Sequence, residues 1–204
     1  MNNSFQLNEL ETDLLTELFN IGVGKAADSL SRMLRQTVKL SVPEVEIKSI
    51  ADMAIYLGGD KDICSVSQEM RGSFDGRSML MFHETNSMEI VRQLMGKNLP
   101  DEMVTEIQEE ALSEIGNIVL NGCIGAIASS LGQQFEVDLP VFEQGKPLQL
   151  LTSLDASIDS SVLLIRIQLK LTDCEVEGYL AFLLAPTSQN NLHRNLKCIL
   201  QELN

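Results

Sequence analysis

Apolar residues recur at helical spacing over residues 8–35, at Leu10, Leu14, Leu15, Leu18, Ile21 and Val23. That spacing places them on one stripe of a helix. Asn8 is a suitable N-cap, and Glu11 three positions on gives a near capping-box arrangement. The period then changes. Residues 37–42 alternate as a strand does, with Pro43 closing the run. Strand-like stretches follow at 45–50, 52–57, 62–71 and 77–82, with turn signals at Gly58-Gly59 and Phe74-Asp75-Gly76. Residues 86–95 read as a helix ending at Gly96. Helical spacing returns over 101–131, and 135–139 alternate before Pro140. Further strands are expected near 149–153, 160–172 and 176–184, with a last helix over 187–202 after Pro186.

The second half repeats the plan of the first. Residues 13–46 align without gaps on 110–143 at an offset of 97, and eight of the 34 positions agree. They are Leu15/Leu112, Glu17/Glu114, Asn20/Asn117, Ile21/Ile118, Leu34/Leu131, Gln36/Gln133, Pro43/Pro140 and Glu46/Glu143. Gly76 and Gly178 continue the echo at an offset of 102. The expected architecture is therefore one domain over 1–204 made of two repeats, about 8–97 and 101–204, sharing a core about a pseudo-two-fold axis. The short stretch Gly96–Pro100 is the junction, and no Pro/Gly/Ser-rich linker divides the halves.

Apolar residues make up 44% of the 204-residue chain, which supports a substantial core. Aromatic residues are 4% and Trp is absent, so Leu, Ile, Val, Ala and nine Met must fill that core. The net charge of −14 and the absence of any basic run argue against nucleic acid as a partner. No apolar run approaches the roughly 20 residues of a membrane span. The acidic N-terminus lacks the pattern of a signal peptide, so a cytoplasmic protein without membrane insertion is expected. Cys64, Cys123, Cys174 and Cys198 lack ligand spacing, and His83 and His193 stand far apart, so no metal site is expected.

Candidate chemistry lies in the polar residues that repeat. Glu17-x-x-Asn20 and Glu114-x-x-Asn117 each sit in an apolar helix, and 22 residues separate each Asn from Pro43 or Pro140. If a required residue appears about one time in twenty, three together appear by chance about once in ten thousand starts. A spacing of i, i+3 puts Glu and Asn on one helical face, with Asp13 or Glu110 a turn earlier. A carboxylate there can pair with an ammonium group. A carboxamide carries both donor and acceptor and can orient a water, though it is too weak a base to take a proton.

These residues resemble the motif of the CheC-type phosphatases of bacterial chemotaxis, the family that includes CheC, CheX and the FliY middle domain. The motif is Asp or Ser, three residues, Glu, two residues, Asn, 22 residues, Pro. Asp13, Glu17, Asn20 and Pro43 meet every position; Glu114, Asn117 and Pro140 meet theirs, while Glu110 replaces Asp or Ser. Two sites favour the two-site CheC branch. The resemblance implies an α+β fold with a mainly antiparallel sheet and packed helices. It implies hydrolysis of the aspartyl phosphate on a phosphorylated CheY-like receiver domain. Glu17 or Glu114 would pair with the receiver's Lys, Asn20 or Asn117 would align the water, and Mg²⁺ would come with the receiver. CheD is a further candidate partner, and a monomer is expected. The alternative is a non-catalytic adaptor that binds a receiver or CheD. Glu110 departs from the motif, and Phe19 stands where the second copy has Gly116, which makes the first helix bulkier beside its Asn.

A nucleotide reading rests on Gly22-x-Gly24-x-x-Ala27, which fits the written form of a dinucleotide fingerprint. That fingerprint should follow a strand, and here a helical pattern precedes it. Gly22 and Gly24 do not recur, since Val119 and Asn121 hold the equivalent places. Their expected role is to let the first helix pack or bend.

Overall fold

The computed structural model describes residues 5–95, 100–152, 160–171 and 174–202. The expected helix end at Gly96 and most of the Gly96–Pro100 junction lie outside these residues. The first repeat runs α1 (Glu9–Leu34), β1 (Lys39–Ser49), α2 (Ile50–Tyr56), β2 (Ile63–Gly72), β3 (Gly76–His83) and α3 (Glu84–Met95). The second runs α4 (Asp101–Leu131), β4 (Phe135–Val137), β5 (Val141–Gly145), α5 (Pro147–Thr152), β6 (Ser161–Lys170), β7 (Glu175–Leu184) and α6 (Pro186–Glu202).

The strands form an antiparallel sheet in the order β1-β6-β7-β3-β2-β4, with β5 also paired to β2. Exchanging each strand for its repeat partner reverses this order and leaves it otherwise unchanged. β1 corresponds to β4 plus β5, β2 to β6, and β3 to β7. Each half thus lends its first strand to the other half: β1 pairs with β6, and β4 and β5 pair with β2. The β3–β7 seam lies at the pseudo-axis. Gly76 opposes Leu184 across it, and Leu80 opposes Leu180.

One face of the sheet carries α1, α4, α3 and α6 over a core that includes Phe19, Leu80, Leu120, Ile165 and Leu180. The other face carries α2 and α5 over Met53, Ile63, Met79, Met81, Leu151 and Leu164. Strand alternation sends neighbouring side chains to these two cores in turn, so both faces of the central strands are apolar. α4 corrects one expectation, because it is long and apolar enough by composition to cross a membrane. Its apolar residues Val119, Leu120 and Cys123 are buried in this core.

α1 is one unbroken helix. The Asn8 side chain accepts from the Glu11 N–H at 3.0 Å, and Glu11 accepts from the Asn8 N–H, which completes the capping box. The helix ends on Arg35 at φ 52°, and α4 ends on the equivalent Gly132 at φ 60°.

The elements the sequence misassigned are repeat partners of one another. Residues 52–56 and 149–152 lie in the helices α2 and α5 rather than in strands; Leu57 is the C-cap of α2, and residue 153 lies outside the described residues. Each helix is two turns or less, too short to display a 3.6-residue period. Local chemistry starts both. Ser49 caps α2 by accepting from the Asp52 N–H, and Pro147 occupies the first position of α5. Pro43 does not close a strand; it sits within β1, which joins the two stretches read separately at 37–42 and 45–50. β5 falls where no strand was expected.

Candidate functional site

Asp13, Glu17, Asn20 and Gly24 follow at intervals of four, three and four residues along α1 and so share one stripe. Asp13 and Glu17 are exposed, and Asn20 is half-buried. Glu110, Glu114, Asn117 and Asn121 form the equivalent stripe on α4, with Glu110 and Glu114 exposed and Asn117 half-buried. Among the described residues, neither Glu17 nor Glu114 has a hydrogen-bond or ion-pair partner. Each carboxylate is therefore available to a cation from outside the chain.

The spacing from Asn20 to Pro43 has a structural cause. The β1–β6 register shifts between Ser41 and Glu44, so Val42 and Pro43 lie in a bulge. Proline has no N–H to give a ladder, and a bulge is where a strand tolerates it. The Val42 N–H, released from the ladder, donates to Asn20 Oδ1 at 3.0 Å. The carboxamide is thereby held in one orientation. One lone pair of Oδ1 and both hydrogens of Nδ2 are left over.

The second copy reaches a similar place by a different route. Pro140 lies in the break between β4 and β5, where the Asp138 N–H donates to the Glu69 carbonyl. Leu139, the counterpart of Val42, is 85% exposed. Asn117 Oδ1 accepts instead from Gln68 Nε2 at 3.2 Å and from Asn121 Nδ2 at 2.7 Å. Gln68 Nε2 also donates to the Asp138 carbonyl at 3.2 Å, which ties Asn117 to the strand break. At the rim, Arg71 clamps Asp138 with two bonds of 2.9 and 2.7 Å.

One sequence reading changes and another is sharpened. Phe19 does not crowd Asn20: it is buried and packs on Phe182 with ring centroids 5.3 Å apart. Its counterpart Gly116 lets α4 settle on β2, since a Cβ there would stand 2.4 Å from Val66 Cγ1. Gly22 and Gly24 part company. A Cβ at Gly22 would lie 2.7 Å from Cys123 Cα, so this glycine is where α1 and α4 cross. Gly24 faces open space beyond Asn20, and no strand precedes either glycine among the described residues. Sequence reasoning missed Gln68 and Asn121 as part of the second face. Asn121 had a signal, one turn beyond Asn117 on the same stripe; Gln68 had none, because it comes from β2 in the other repeat.

Residues 10–47 match the CheC-like family, and residues 64–158 match the family described as chemotaxis phosphatase CheX. The first match contains Glu17, Asn20 and Pro43, and the second contains Glu114, Asn117 and Pro140. Each half of the chain is thus similar to the CheC-type family. A relative in it, the CheY-P phosphatase CheC of Bacillus subtilis, is 26% identical over 140 residues, 66% of each chain. The match thus spans just under two thirds of that relative's length. The fold is that of FliY from Thermotoga maritima, with a TM-score of 0.77 and 18% identity over 94% of this chain and 98% of that one. The CheX of a Borrelia burgdorferi CheX–CheY–BeF3–Mg²⁺ complex shares it at a TM-score of 0.52 and 18% identity, over 82% of this chain and 96% of that one.

Proposed function

We propose that the chain hydrolyses the aspartyl phosphate of a phosphorylated CheY-type receiver domain. The observation that carries this reading is the Glu17–Asn20 face, an unpaired exposed carboxylate beside a carboxamide held by the Val42 N–H. Glu17 pairs with the receiver's Lys and brings the helix face onto the phosphorylated site. Asn20 offers its remaining Oδ1 lone pair to a water hydrogen and so turns the water's own lone pair toward phosphorus. The water oxygen bonds to phosphorus as the bond from phosphorus to the aspartyl oxygen breaks. The aspartate leaves as a carboxylate; one water proton stays with the phosphate and the other passes to solvent. Catalysis of this kind works by positioning, as phosphoryl transfer requires. Mg²⁺ belongs to the receiver, where it neutralises the phosphoryl oxygens. Glu114 and Asn117 supply the second face. A receiver substrate also implies a cytoplasmic setting.

The test is phosphate release from a phosphorylated chemotaxis receiver with Mg²⁺. Wild type should accelerate release, and Asn20→Ala/Asn117→Ala should return it to the receiver's own rate. Receiver binding by wild type with no acceleration would instead support the adaptor role.

A further inference from the structure

The two faces present unequal asparagines. Amide orientation follows from the network around Asn117. Asn121 Nδ2 lies 2.8 Å from the Asn117 backbone carbonyl, which can only accept, so the donor end of Asn121 points there. Gln68 Nε2 lies 3.2 Å from the Asp138 carbonyl, so the donor end of Gln68 points there too. The Asn117 atom facing both donors must then be its oxygen. Both lone pairs of that oxygen are used. None is left for a water.

The first face lacks both donors. Gly24 stands where Asn121 stands, since 24 + 97 = 121. The counterpart of Gln68 follows from strand register. Val45 opposes Ile165, and Phe142 (45 + 97) opposes Val66, so Val66 matches Ile165 and Gln68 matches Ile167. Ile167 is buried and apolar. Asn20 therefore gives one lone pair to the Val42 N–H and keeps the other.

We propose that Asn121 and Gln68 hold Asn117 in a resting state. Glu17–Asn20 is then the working face of the isolated chain, and Glu114–Asn117 turns over substrate only when Asn121 lets go. Asn121 is exposed at the next turn of the stripe, where an arriving receiver would meet it, and it acts as a positioning residue. The inference rests on the phosphatase reading.

The experiment uses the full chain with a Mg²⁺-loaded phosphorylated receiver. It compares wild type, Asn20→Ala, Asn117→Ala, Asn121→Ala and Asn20→Ala/Asn121→Ala. Asn20→Ala should lose about tenfold or more in kcat, clearly more than Asn117→Ala loses, within the range that misplacing one reacting group costs. Adding Asn121→Ala to Asn20→Ala should restore at least about fivefold of that loss, in kcat rather than KM. A merely structural Asn121 would not produce that gain, since Ala is also the better helix former. Equal losses from Asn20→Ala and Asn117→Ala, or no rescue by Asn121→Ala, would overturn the proposal. A second readout is independent of turnover: the Asn117 side-chain amide signals in NMR should move in Asn121→Ala. A wild type that fails to accelerate release would sink the phosphatase reading, while unmoved Asn117 signals would sink the clamp itself.

Discussion

Replacing Gly22 and Gly24 separately with Ala tests where the two site-bearing helices touch. The changes are chemically identical and lie two residues apart on α1. At Gly22 the added methyl would sit 2.7 Å from Cys123 Cα and 2.9 Å from the Gly122 carbonyl oxygen. Ordinary carbon contacts are about 3.5–4.0 Å, so the helices must part by about 1 Å. Both obstacles are backbone and cannot rotate away. Overpacking of this kind costs about 1–3 kcal/mol. At Gly24 the methyl meets nothing within 4 Å. Gly→Ala in a helix interior gains about 1 kcal/mol, and both variants share that gain. Their difference therefore isolates the packing cost. At roughly 2–4 °C per kcal/mol for a chain of this size, Gly24→Ala should melt above Gly22→Ala by roughly 2–12 °C. The chain has no Trp, so circular dichroism is the suitable probe. Equal midpoints, or a Gly22→Ala that melts higher, would refute the crossing as the place of close approach.

Other outcomes follow from the same geometry. Arg35 is the one non-glycine residue with positive φ among the described residues, at the place where α4 has Gly132. Arg35→Gly should raise stability by up to about 1 kcal/mol, measured by urea denaturation. A thiol reagent at pH 8 should modify exposed Cys198 quickly and leave buried Cys64 and Cys123 until the chain unfolds. Burial pushes the Cys123 thiol from 9.0 up to about 12. Above pH 9 the unfolded chain loses this proton while the folded chain keeps it, so stability falls as pH rises from 9 toward 12. The slope from this group is up to about 1.4 kcal/mol per pH unit and should vanish in Cys123→Ala. Because each half completes the other's sheet, we propose that the chain is one domain that unfolds in a single calorimetric transition. Two separated transitions would contradict that.

The sequence exposed those features that depend on repetition or long periods. α1, α4 and the four strands β2, β3, β6 and β7 stand near the expected residues, since each is long enough to show its period. The Glu–Asn pairs stood out because they recur at an offset of 97. α2 and α5 escaped in both halves for one reason: their few apolar residues alternate as readily as they spiral. Long-range contacts were less visible. No local pattern announces that Val42 gives its N–H to Asn20, although the 22-residue spacing to Pro43 encoded it. The resemblance of the halves also hid a difference. Gly24 and Asn121 looked like a failed match between repeats, yet this pair decides whether an asparagine oxygen is open or taken.

The most direct test follows a pre-formed receiver aspartyl phosphate under single turnover, with excess chain. In parallel it measures binding to the beryllofluoride-loaded receiver. Wild type should shorten the phosphate's lifetime. Asn20→Ala/Asn117→Ala should bind about as well and leave the lifetime at the receiver's own value. Glu17→Gln/Glu114→Gln should bind more weakly. An Asn double variant that still dephosphorylates at the wild-type rate would contradict the claim that these two carboxamides carry the chemistry.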